Sequence, residues 1–131
     1  MHYETMYQAL VRSPFERCAL SAQEFMAAQK YGYVIAIDFD GTLCSDEYPG
    51  IGRGKKNVIK LAKEAQRYGA DIVLWTCREG DLLNEALAWC RVQGLKFAAV
   101  NDNTPARKAL WGNNTRKVGY DELWDDRAVR V

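Results

Sequence analysis

Apolar and polar positions along the chain change period several times. Tyr33-Val34-Ile35-Ala36-Ile37 is a short apolar run with β-branched residues, closed by Asp38-Phe39-Asp40-Gly41-Thr42. A run of this kind, bounded by turn residues, predicts a buried strand of a parallel sheet. Pro49 to Gly54 reads as a loop. Over residues 55–68 the period becomes helical: Val58, Leu61, Ala62 and Ala65 share one face, and Gly69 ends the segment. Ile72-Val73-Leu74-Trp75 predicts a second strand, ending in Thr76-Cys77-Arg78. Asp81 to Gln93 predicts a second amphipathic helix with Leu82, Leu83, Ala86, Leu87 and Cys90 inward, stopped by Gly94. Phe97-Ala98-Ala99-Val100 predicts a third strand, ending at Asn101-Asp102-Asn103. Ahead of all this, residues 1–30 read as a helical extension. Met6, Leu10 and Val11 recur at helical spacing, Ser13-Pro14 interrupts, and Ser21 with Glu24 forms a capping-box pattern.

Strands alternating with helices across short loops predict an α/β fold. The expected form is a Rossmann-like three-layer sandwich around a central parallel sheet, occupying residues 31–131. In such sheets ligands bind beyond the carboxyl ends of the strands. Asp38 and Asp40, Thr76 and Arg78, and Asn101 and Asp102 all fall at those ends.

Composition narrows the function. The chain has 131 residues and a formal net charge of +1, so bulk charge gives no case for nucleic acid or an anionic membrane. No apolar run approaches the roughly 20 residues of a membrane span, and no signal-like segment opens the chain. Cys18, Cys44, Cys77 and Cys90 lack zinc spacing, and the single histidine is His2. Reduced thiols and a cytoplasmic setting are expected.

Two carboxylates two residues apart at the end of an apolar strand are costly to bury unless a cation offsets their charge. Oxygen donors without nearby His or Cys favour Mg²⁺. The stretch Ile37-Asp38-Phe39-Asp40-Gly41-Thr42-Leu43 resembles the first motif of the haloacid dehalogenase superfamily. The resemblance implies that Asp38 is a nucleophile forming an aspartyl-phosphate and Asp40 a general acid/base. It also implies that the Asp38 side chain and the Asp40 backbone carbonyl hold Mg²⁺. Thr76 matches the second motif; its hydroxyl, with backbone groups around Cys77 and Arg78, would hold the phosphoryl group. Lys117 is the expected phosphate-binding lysine, with Lys108 as the alternative. Asp125-Asp126 resembles the fourth motif and supplies the remaining metal ligands. The preceding strand, Asp121-Glu122-Leu123-Trp124, has only two apolar residues and reads as weak.

Neither gap where family members insert a cap is long enough to hold one. The resemblance therefore implies an open site, taking a large phosphorylated substrate or a small one beneath a neighbouring subunit of a homo-oligomer. Arg53, Lys55 and Lys56 lie in the loop after the first motif. They are either a solvated helix start or an attraction for a phosphorylated ligand such as a nucleotide or nucleic-acid end. Gly54-Lys55 is followed by Lys56 rather than Ser or Thr, which rules out a P-loop. Cys44 and Cys77 sit beside the expected site and suggest oxidation sensitivity. The leading expectation is a Mg²⁺-dependent phosphomonoester hydrolase. The alternatives are a nucleic-acid 3′-end phosphatase and an idle binding or regulatory protein on the same fold.

Overall fold

The computed structural model describes residues 32–115 and 117–127; the expected extension over residues 1–30 lies outside them. Four parallel strands form one sheet: β1 (Val34–Asp38), β2 (Asp71–Trp75), β3 (Ala99–Val100) and β4 (Glu122–Trp124). Their spatial order is β3-β2-β1-β4. Helices α1 (Lys56–Arg67), α2 (Gly80–Val92) and α3 (Pro105–Trp111) connect successive strands. The protein is thus α/β, with a Rossmann-like strand order.

The apolar runs became strands because both sides of their pleat are covered. Ile35, Ile37, Ile72 and Leu74 pack with Val58, Leu61, Ala62 and Ala65 of α1 and with Ala86 and Cys90 of α2. On the other face Val34, Ala36 and Val73 meet Val118. A chain that steps from β1 to β2 to β3 in one direction puts α1 and α2 on the same face. The return from β3 to β4, beyond β1, puts α3 opposite, because such crossovers are right-handed.

β3 has two residues, shorter than the four-residue run 97–100. The short helix α3 was not expected. Thr104 caps it, its side chain accepting from the Arg107 N–H at 3.3 Å, and Pro105 occupies its first turn.

β4 forms despite its polar sequence, because that polarity is satisfied inside. Glu122 is 3% exposed and accepts from the Tyr33 hydroxyl at 2.8 Å and the Trp124 indole N–H at 3.1 Å. Burial pushes its carboxyl up, while these two hydrogen bonds pull it back. Asp121 accepts from the Val34 N–H at 2.8 Å and pairs with Arg107 at 2.9 Å, joining the starts of β1 and β4 to α3. The weak strand is therefore anchored by side chains rather than by apolar burial alone.

Candidate functional site

Strand order reverses at β1: the chain leaves it for β2 on one side and returns to β4 on the other. Such a switch point opens a crevice at the carboxyl ends. A cavity of ≈ 520 Å³ lies there. It is lined by Asp38 from the end of β1, Thr76, Cys77 and Arg78 after β2, and Asp125, Asp126 and Arg127 after β4. Asp40, Asp46 and Tyr48 complete the wall.

Asp38, Asp125 and Asp126 each offer a carboxylate oxygen, and these atoms lie within 4.8 Å of one another. Among the described residues none of the three is in an ion pair. The Asp38 carboxyl is pushed up to about 7, first by burial and next by the charge of Asp125, with Asp126 adding to it. The Thr42 hydroxyl opposes this by donating to Asp38 at 3.2 Å. Three crowded carboxylates of this kind suit a hard divalent cation, and oxygen-only donors suit Mg²⁺.

The turn after β1 makes the cluster possible. Gly41 has φ +90, and a Cβ there would collide with the Asp126 carboxylate. Thr42 is fully buried. Besides donating to Asp38, its oxygen accepts from the Asp126 N–H at 3.1 Å. One hydroxyl thus ties the first acidic motif to the last.

Asp40 has a different environment. Both its oxygens accept from Arg78, Nε and Nη2 each at 2.8 Å. The Arg78 nitrogens also donate to the carbonyls of Gly50, Pro49 and Leu82, at 2.8, 3.2 and 3.4 Å. Those five bonds use every N–H that a guanidinium owns. The Arg78 guanidinium carbon lies over the rings of Phe39 and Tyr48, at 5.0 and 5.2 Å from their centroids. Arg78 is 1% exposed. The Arg78 side chain therefore clamps Asp40 and the 49–50 loop with no donor left over, so any part Arg78 has in holding a phosphoryl group falls to its backbone, as expected from the sequence.

Thr76 lines the cavity, as expected for a residue at the end of β2. Its hydroxyl accepts from the Arg78 N–H at 3.1 Å. Asn101 fixes its backbone, accepting from the Thr76 N–H at 2.7 Å and donating to its carbonyl at 2.8 Å. Asn101 was noticed only as a polar strand end; its side chain is a brace.

The expected lysines are elsewhere. Lys117 is exposed and does not line the cavity, and its carbonyl accepts from buried Asn103 at 3.1 Å. Lys108 pairs with Asp102, which also accepts from Asn114 at 2.7 Å. Lys55 donates its ammonium to the Gly41 carbonyl, within the first motif's own turn. Arg127, which sequence reasoning did not assign, is the other cation lining the cavity among the described residues, 3.7 Å from Asp46. Cys77 lines the cavity, but Cys44 does not: it is buried beneath the turn, its thiol 3.9 Å from the Phe39 carbonyl. Burial raises the Cys44 thiol above its ordinary range.

A scan against protein-family models and a search of curated proteins both return no match. Among solved structures, the chain is similar to one described as the conserved protein coded by locus from Bacteroides thetaiotaomicron. The two are 40% identical, with a TM-score of 0.65, over 73% of this chain and 77% of that one. The chain belongs to that conserved protein's family. Among the described residues, no helix is long and apolar enough to cross a membrane.

Proposed function

We propose that the chain is a Mg²⁺-dependent phosphomonoester hydrolase with a capless, haloacid-dehalogenase-like fold, acting through an aspartyl-phosphate on Asp38. The observation that carries this reading is the cluster of Asp38, Asp125 and Asp126 at the switch point, in no ion pair among the described residues, with Asp38 raised to about 7 by burial and then by its acidic neighbours. Its position matches what the resemblance of Ile37–Leu43 to the superfamily's first motif implies. The segment between β1 and α1 carries only isolated bridge pairings, which agrees with an uncapped site.

Asp38, Asp125, Asp126 and the Asp40 carbonyl would hold Mg²⁺. When bound, the ion neutralises the crowded carboxylates and the charge of the phosphoryl group. Asp38 attacks phosphorus, forming an acyl-phosphate bond as the ester P–O bond breaks. The leaving oxygen takes its proton from Asp40. Water then attacks phosphorus, Asp40 accepts the water's proton, and the bond to Asp38 breaks to release phosphate. Thr76 positions the phosphoryl oxygens from the end of β2. Because Arg78 holds both Asp40 oxygens in the structure, Asp40 has to leave part of that pairing to carry its proton.

The test is phosphate release from an aryl phosphate, with Mg²⁺ and with chelator, for the wild type and Asp38→Asn. Release that requires Mg²⁺ and vanishes in the folded variant supports the reading. Silence across a broad panel of phosphate esters, with no Mg²⁺-dependent thermal shift, sinks it. The Arg78 clamp on Asp40 favours the second reading, an idle binding protein on the same fold. That reading predicts the same silence on every ester.

A further inference from the structure

Helix α1 buries Val58, Leu61, Ala62 and Ala65 against the sheet. Its opposite side is cationic. Lys56, Lys60, Lys63 and Arg67 recur at i, i+4, i+7 and i+11, so they form one stripe along the helix. All four are exposed, and none makes an ion pair among the described residues. At 1.5 Å per residue the stripe runs for about 16 Å. Together with Ile59 and Gln93 the four cations line a groove of ≈ 290 Å³. Its walls are fixed, because Gln66 ties α1 to the chain after α2, bonding the Gly94 carbonyl at 3.2 Å and the Lys96 N–H at 2.8 Å.

The stripe begins one residue after Lys55, which reaches the Gly41 carbonyl in the turn between Asp40 and Thr42. From there α1 leads away from the carboxyl ends of the strands.

We infer that this face of α1 is a track for the phosphate backbone of single-stranded nucleic acid, with the strand's phosphorylated end entering the cavity. The second half of this inference rests on the phosphatase reading; the track itself does not. A protein partner would need apolar or aromatic anchors, and among the described residues the groove offers only Ile59, which is 8% exposed. Lysines act as point charges, suited to phosphates and indifferent to base identity. A single row matches one backbone rather than two. The net charge of +1 hides this face, because the chain's 17 acidic residues nearly balance its 18 Lys and Arg.

The experiment is fluorescence anisotropy of a labelled oligothymidylate carrying a 3′-phosphate, with the full chain in the Asp38→Asn background so that nothing is turned over. Four phosphate contacts predict a slope of about −2.8 in log K against log salt, read between roughly 50 and 200 mM. Lys60→Glu/Lys63→Glu should weaken binding at least tenfold and shrink the slope by about half. Lys60→Gln/Lys63→Gln, a milder pair at exposed positions, decides the matter if the reversal unfolds the chain. No saturable binding at low salt overturns the inference. So does unchanged affinity in a folded variant, or competition by oligoglutamate as strong as by the oligonucleotide. If instead the oligonucleotide binds as predicted and the wild type releases no phosphate from any ester, the track stands and the phosphatase reading falls.

Discussion

Asp38 and Asp40 stand two residues apart in one turn, yet they live in opposite surroundings. Asp38 faces two other carboxylates and only a hydroxyl relieves it. Asp40 is matched oxygen for nitrogen by a buried guanidinium that is itself fully bonded. The first has no cationic partner among the described residues; the second has one from the chain. A repeated residue type in a motif therefore says little about shared duty. The side chains that approach from other strands set each role.

The sharpest way to break this comparison is Asp38→Asn, which removes the proposed nucleophile and one proposed metal ligand together. Phosphate release should drop on the order of 10³-fold or more, with the fold kept. Next is Arg78→Ala, which strips Asp40 of its partner and three carbonyls of their donor. Unfolding in urea should show a loss of about 3–5 kcal/mol, the cost of a buried charge left unpaired. Arg78→Lys should recover little of it, because an ammonium cannot reproduce the fork.

Thr42→Val should cost about 1–3 kcal/mol, because the Asp126 N–H loses its acceptor. Mg²⁺ affinity should weaken with it, as Asp38 is pushed further up once the hydroxyl is gone; calorimetric titration measures both effects. The smallest effect concerns pH. Asp38 sits at about 7 in the folded chain against an ordinary 3.8, so protons favour the fold. The metal-free protein should therefore lose stability between about pH 4 and 7, by about 1 kcal/mol once solvent screening is allowed for. Chelated Asp38→Asn should lack that decline and unfold later than wild type above pH 7. Added Mg²⁺ should reverse the ranking.

The sequence made β1, β2, α1 and α2 legible because each buries a regular face, and periodicity reports burial. It made β4 look weak because a pattern reader treats Glu122 as a surface residue. Its partner Tyr33 lies 89 positions away, beyond any local window. The signals for α3 were present, Thr104 before Pro105 and Gly112 after the last turn, but the helix is seven residues long and buries none of them. With no apolar stripe, it left nothing for periodicity to find. The site was legible where residues end strands: Asp38, Thr76 and Asp125 all line the cavity. It was not legible where a long side chain chooses among partners. Arg78 is tied down by carbonyls of a loop whose path no composition reveals, and Lys117 belongs to a segment held by Asn103.

The bond between Thr42 and Asp126 spans 84 positions. Its consequence belongs to the order of synthesis. A ribosome completes the first acidic motif long before the last one leaves the exit tunnel, so the emerging chain carries Asp38 without its companions. The three carboxylates come together only when β4 closes against β1, the most distant pairing in the sheet and the one with the largest loop entropy to overcome. If the proposed Mg²⁺ site holds, binding of the ion would report the completion of folding in real time and would latch the two distant acidic motifs together once they meet.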